Sequence, residues 1–268
     1  MPDWPLSYGM LMPPMVGGIL YEHGHRMVAT FVGMLTTVLA VWIWRRESRK
    51  WIRLLGLVAL GMVITQGVLG GITVIYLLPT PVSVSHATLA QTFFCVTVLL
   101  AFATSREWNE AVPRPDAESR RLRTAALVAT FSIYLQLILG AVVRHTGSAL
   151  AIPDFPLAFG RLIPPPPLTN ASVVIHFVHR LGALLVSGSL AWLFVHVWRH
   201  VQDRRFRLPM IALGCLVIAQ ILLGGTVVWT SRAVLPATAH VATGALLLAT
   251  TWLLTLRIYL HLEPADAV

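Results

Sequence analysis

Four of the ten histidines in the 268-residue chain fall into two pairs with the same separation. His25 and His86 lie 61 residues apart, and so do His179 and His240. Their surroundings correspond at an offset of 154 residues: Glu22-His23-Gly24-His25-Arg26 falls on His176-Phe177-Val178-His179-Arg180, Gln66 to Gly71 on Gln220 to Gly225, and Ser85-His86-Ala87 on Ala239-His240-Val241. Each histidine stands a few residues inside an apolar stretch. A polar ring there is costly without a partner, and so invites a functional reading. Two imidazoles at equal depth on two different helices could close on a flat macrocycle from above and below, since imidazole is a common axial ligand of haem iron. Zinc suits the pattern less, because no Cys or carboxylate completes a four-ligand set beside either pair.

The departures from symmetry carry their own chemistry. Glu22 takes the place of His176, three residues before a candidate ligand and on nearly the same helix face. A carboxylate there could act as a base or stabilise a developing cation; it could also be hydrated or paired with Arg26. Arg26 and Arg180 follow candidate ligands and Arg144 ends a stretch near His145. Each could pair with a haem propionate or snorkel to the interface. Gly70-Gly71 and Gly224-Gly225 could let a ring approach the backbone or serve ordinary close helix packing. His23 points elsewhere around its helix, and His196, His200 and His261 fall at span ends or in the tail, so these are expected to be solvated or interfacial. Cys95 and Cys215 show no metal spacing and are expected to be buried thiols without a disulfide.

The elements that must position these residues are membrane spans. The composition is 56% hydrophobic and 12% charged, with mean hydropathy +0.74; a soluble domain carries roughly twice that charged fraction. Seven apolar runs, Ile19–Trp44, Leu54–Tyr76, Val82–Thr104, Thr124–Val143, Ala171–Trp198, Leu208–Trp229 and Leu235–Ile258, are each long enough to cross a bilayer as a helix. None alternates in polarity as a barrel strand would. The net charge of +9 comes from loops rather than from a nucleic-acid face: 15 of the 20 Lys and Arg fall in residues 45–53, 106–123 and 199–207 and at Arg257. That asymmetry places the basic loops and the carboxy terminus in the cytoplasm and the histidines toward the outer face, about 5–12 Å below the surface by helical rise.

A further match, shifted by three residues, relates Pro2-Asp3-Trp4-Pro5-Leu6-Ser7-Tyr8-Gly9 to Pro153-Asp154-Phe155-Pro156-Leu157-Ala158-Phe159-Gly160. A span precedes the second copy and none precedes the first, so the first half is expected to lack its opening helix. The expected architecture is an all-α membrane protein of seven transmembrane helices in two repeat-related bundles, three helices plus four, related by a parallel pseudo-two-fold. Residues 1–104 form the amino-terminal bundle, 105–123 a cytoplasmic linker, 124–258 the carboxy-terminal bundle and 259–268 a cytoplasmic tail.

Taken in order, Glu22 to Arg26, Ser85-His86-Ala87-Thr88, Thr146-Gly147-Ser148 leading to Pro153-Asp154, Ile175 to Arg180 and His240 resemble the motifs of the haem A synthase family across essentially the whole chain. The resemblance implies oxidation of a methyl group of haem O to a formyl group, giving haem A for terminal oxidases. The implied route is two successive oxidations, through an alcohol and a hydrate that loses water. It further implies that His25 and His86 flank the substrate haem O, that His179 and His240 are the axial ligands of a haem b, and that Glu22 is catalytic near the reacting methyl. The family typically has eight spans, and a misplaced start fits the seven here. Some members carry an outer-loop cysteine pair; Ile152 stands where one would be expected, so no redox cysteine is assigned.

Two other readings remain open from the residues: a two-haem membrane cytochrome b carrying electrons, and a haem transporter. The synthase reading implies haem O, and the haem O synthase supplying it, as partners. It also implies a multi-pass cell-membrane location and no nucleic acid.

Overall fold

The computed structural model describes residues 4, 6–167 and 169–264. Pro2, Asp3 and Pro5 of the first loop motif and the end of the tail lie outside the described residues. Helix makes up 76% of the structure, so the class is all-α. Among the described residues seven helices are long and apolar enough to span a membrane: α1 (Gly18–Arg46), α2 (Lys50–Ile75), α3 (Thr80–Ala103), α5 (Ser119–His145), α6 (Ala171–His200), α7 (Arg204–Trp229) and α8 (Val234–His261). A single turn, α4 (Arg106–Asn109), and two three-residue strands, β1 (Arg114–Asp116) and β2 (Leu262–Pro264), complete the elements that matter here.

All seven expected spans are present, and most run past the apolar runs into basic residues. α7 begins at Arg204 and α5 at Ser119, several residues before the first apolar stretch. Arginine is a good helix former and can bury its stem while its head reaches water, so the helix outlasts the hydrocarbon-compatible segment. The starts of α6 and α7 are capped: Asn170 accepts from the Ser172 N–H at 2.9 Å and Asp203 from the Arg205 N–H at 2.8 Å. Within the spans, Thr36, Thr65, Thr92 and Thr251 each donate to the carbonyl four residues back, which satisfies a hydroxyl that lipid cannot.

The chain divides into two compact units, Met1–Ala103 and Thr104–Val268. In the first, α2 packs against both α1 and α3; Gly56 of α2 takes the Ile43 side chain of α1 at ordinary van der Waals distance. Between α1 and α2, Arg49 holds Glu47 and donates to the Ala103 carbonyl at 3.0 Å.

The second unit is a closed ring of helices, α5 on α6, α6 on α7, α7 on α8 and α8 back on α5, so that α6 and α8 stand diagonally. Small residues set the α5–α8 approach: Ala125, Ala126 and Ala129 are fully buried, as are Leu248, Leu254 and Ile258 of α8. Thr130 and Thr255 share a hydrogen bond of 2.8 Å across that seam. At the far end of α8, Glu107 of α4 receives Arg257 at 2.9 Å and His261 at 3.2 Å, and β2 pairs in parallel with β1.

Candidate functional site

In the second unit His179 lies eight residues into α6 and His240 six residues into α8, about 12 and 9 Å from the helix starts. The helices that carry them face each other diagonally across the ring. Each ring edge rests on a glycine of a neighbouring helix. A Cβ on Gly140 of α5 would stand 3.2 Å from His179 Cε1, and one on Gly224 of α7 would stand 3.3 Å from His240 Cε1. A Cβ at either position would require the imidazole edge to give by a few tenths of an ångström.

A pinned loop covers this end of the bundle. The Arg180 guanidinium donates to the Leu157 and Asp154 carbonyls, both at 2.7 Å, and lies 5.6 Å from the Phe155 ring centre. The Asp154 carboxylate accepts from the Phe159 and Gly160 N–H groups at 2.7 Å. Those amides, Gly160's foremost, together with the Arg180 charge, hold the Asp154 carboxyl below its ordinary value. His176 Nδ1 accepts from the Ile152 N–H at 3.3 Å. Ile152 itself is fully buried with Ala158 and Val173, so an apolar side chain anchors the loop at that position. Phe155 packs on Gly225, where a Cβ would fall 2.9 Å from its ring. The glycine pair is thus shared, Gly224 under a histidine and Gly225 under a loop aromatic.

The first unit repeats these contacts. A Cβ on Gly70 of α2 would meet His86 Cε1 at 3.4 Å, and one on Gly71 would meet the Trp4 ring at 2.8 Å. Arg26 donates to the Leu6 carbonyl and to Ser7 Oγ, and Ser7 pairs with Met10 as Ala158 does with Arg161. Tyr8 and Phe159, each just before a left-handed glycine, have φ of 54° and 56°. His25 lies on an exposed face of α1, seven residues from its start. The Glu22 carboxylate, 63% exposed, pairs with the Arg26 guanidinium.

Three expectations need correction, those for His23, His261 and the burial of the cysteines. His23 is buried, not solvated: its Nδ1 lies 3.0 Å from Ser7 Oγ, so it steadies the first loop beside Arg26. His261 is buried against Glu107 rather than hydrated. His200, by contrast, is exposed at the end of α6. The two cysteines are free thiols as expected, but Cys215 is exposed on the apolar outside of α7. Arg26 and Arg180, candidates for propionate pairing, spend hydrogen bonds on loop carbonyls, while Arg144 is exposed at the end of α5. Gly140 and Gln136, which touch His179, drew no attention in the sequence, because 39 residues separate the glycine from its histidine.

Among the described residues no three His, Cys, Asp or Glu side chains gather as a metal set. Paired imidazoles without further protein ligands suit an iron whose other four ligands come from a macrocycle. The glycine contacts at the imidazole edges, which a Cβ would fill, are compatible with such a fit. Residues 1–252 match the model of the cytochrome oxidase assembly protein family. The chain belongs to that family. Among its relatives, the Heme A synthase of Symbiobacterium thermophilum is 34% identical over 68% of this chain and 60% of its own length. That of Halalkalibacterium halodurans is 30% identical over 88% of this chain and 79% of its own. That of Sphingopyxis alaskensis is 31% identical over 92% and 72%. The resemblance read from the motifs is borne out at the level of the family.

Proposed function

We propose that this chain is a haem A synthase, a membrane oxidoreductase that converts a methyl group of haem O to the formyl group of haem A. Family membership supports the reaction. The observation that carries the residue assignment is the recurrence, in each unit, of a histidine seated on a bare glycine beneath an arginine-pinned loop.

In this reading His25 and His86 would hold haem O as substrate, and His179 and His240 would hold haem b through their imidazoles. When bound, haem b supplies a one-electron relay. Both pairs sit near the helix starts, at the end of each unit where an arginine holds the loop. Glu22, three residues before His25, stands where it can take a proton from the methyl carbon's successive hydroxylated forms or balance positive charge developing there. Arg26 orients that carboxylate and fastens the loop at the same time. The substrate carbon passes through an alcohol and a hydrate, each step adding one oxygen and giving up two electrons to an acceptor outside this chain, and the hydrate loses water to leave the aldehyde. Haem O synthase is the natural donor. The basic helix ends, Arg45 and Arg46 of α1 and Arg199 of α6 among them, support a topology in the cell membrane with those loops in the cytoplasm and the histidines toward the outer face.

The test is production of haem A. Cells supplied with a haem O source and this chain are expected to yield haem A in acid-acetone pigment extracts, with a bis-imidazole b-type spectrum on the purified protein. Two b-type haems with no modified porphyrin would replace the enzyme reading with that of an electron carrier.

A further inference from the structure

The offset of 154 residues also relates the ends of the units that lie away from the histidines. Where α1 turns into α2, Trp44 and Arg53 form a cation–π stack, with the guanidinium carbon 4.3 Å from the ring centre. Where α6 turns into α7, Trp198 and Arg207 stack in the same way at 4.7 Å. Trp198 is the counterpart of Trp44, and Arg207 that of Arg53. The candidate site at the opposite helix ends makes no use of either stack.

Positive charge gathers around both stacks. Residues 45–53 hold five Lys or Arg against Glu47, and residues 199–207 hold four Arg against Asp203. Each acid is matched within its own turn, Glu47 by Arg49 at 2.8 Å and Asp203 by Arg205 at 2.7 Å. Of the other cations, Arg45, Arg46, Lys50, Arg199 and Arg204 are exposed. Arg207 donates Nε to the Val201 carbonyl at 2.8 Å and Nη2 to the Trp198 carbonyl at 2.9 Å, which leaves Nη1 for another acceptor. One turn deeper the surface becomes apolar. Val41 below Trp44 and Leu57 below Arg53 are exposed, and so are their counterparts Val195 and Ile211. Positions three or four apart share a helix face, so each stack stands at the head of an apolar track.

A guanidinium laid on an indole is held in plane and keeps N–H donors at its edge for an anion. Tryptophan favours the depth where headgroups meet hydrocarbon, and clustered Lys and Arg on the cytoplasmic side of a span attract acidic lipids. Free phosphate would use the cations but not the apolar track. We propose that each stack is a headgroup site for an acidic phospholipid of the cytoplasmic leaflet, one in each unit. Arg53 and Arg207 donate to the phosphodiester, and the neighbouring cations balance the lipid's net charge. The acyl chains lie along Val41 and Leu57 in the first unit and along Val195 and Ile211 in the second. The site rests on the membrane topology proposed above and is independent of the haem-ligand assignment.

The test is titration of the full-length protein in dodecyl maltoside with dioleoylphosphatidylglycerol, followed by native mass spectrometry. One phosphatidylglycerol per unit is expected to be retained, with dioleoylphosphatidylcholine bound about tenfold more weakly and inorganic phosphate failing to displace the lipid. Arg53→Gln is expected to weaken the first site about 5-fold. Trp44→Leu, which keeps the charge but removes the surface that holds it, is expected to weaken it about 3-fold. Arg46→Gln removes the same charge from an exposed position on another face of α1, and its effect should stay below about 2-fold. Arg207 also closes the end of α6; if Arg207→Gln fails to fold, Trp198→Leu reports on the second site. Equal binding of the two lipids, or an Arg46→Gln effect as large as that of Arg53→Gln, would reduce the stacks to diffuse attraction and overturn the proposal. Displacement by inorganic phosphate would overturn the lipid as occupant. The readout needs neither haem nor turnover, so its failure leaves the synthase reading untouched.

Discussion

Glu22 and His176 occupy matching positions in the two repeats, yet they are used differently. His176 turns inward to the loop backbone and is buried, whereas the Glu22 carboxylate stays exposed and leans on Arg26. The loop-steadying role passes to His23 in the first unit. A group freed from a structural duty in only one of two copies is a good candidate for chemistry. Replacing Glu22 with Ala is therefore expected to leave the b-type haem spectrum unchanged while haem A yield falls roughly 100-fold or more, in line with the loss of a positioned base. Pigment analysis of cells carrying the variant measures this, and undiminished haem A would remove Glu22 from the reaction. The spacing of 61 and the match of Glu22 with His176 were legible in the sequence because ligand and neighbour lie within one helical turn. The burial of His23 was not, since its partner Ser7 belongs to a loop whose path no local pattern reveals.

At the scale of elements, the seven spans could be read from apolar runs because hydrocarbon imposes a length that few other structures require. Their ends could not, since arginines at the start of α7 and the end of α1 prolong the helix past the apolar window. The short α4 and the β1–β2 pair also escaped notice: three-residue strands carry no periodicity to read. The loop over the second unit depends on one side chain above all. Arg180 serves the carbonyls of Leu157, Asp154 and Ile152 together. Hydrogen bonds to a charged group contribute about 1.5–3 kcal/mol each, though not additively. Arg180→Leu should therefore destabilise the loop by about 3 kcal/mol, seen as protease cleavage within residues 152–163 at concentrations that spare the wild type. Resistance equal to wild type would mean that Ile152 and Phe155 hold the loop unaided.

Considered as a whole, each unit carries acidic groups tied to basic ones at its polar ends, and this fixes how the molecule responds to acid. Hydrogen bonds from the Arg49 side chain and main chain hold the Glu47 carboxyl down to about 2. Glu107 is also lowered: burial alone would raise it, but Arg257 and His261 outweigh that. A depressed carboxyl stabilises the fold fully above its ordinary value near 4.5 and loses that contribution as pH falls toward its folded value. The stability difference between wild type and Glu47→Gln in detergent is expected to be constant from pH 7 to about 5 and to shrink steadily below that. Thermal melts across this range measure it, and a difference that persisted undiminished at pH 2 would show that the Glu47 charge is not what matters.

The helical ring of the second unit is closed by its first and last members, α5 and α8, with Ala125, Ala126 and Ala129 as the seam. A ribosome delivers α5 and α6 to the bilayer well before α8, so during synthesis that alanine face has only lipid or a chaperone to rest on. His179 likewise waits without its opposite number until His240 arrives. On the ligand assignment proposed above, capture of the b-type pigment would be a late event in biogenesis, and a nascent chain halted before Val234 would hold the iron from one side at most.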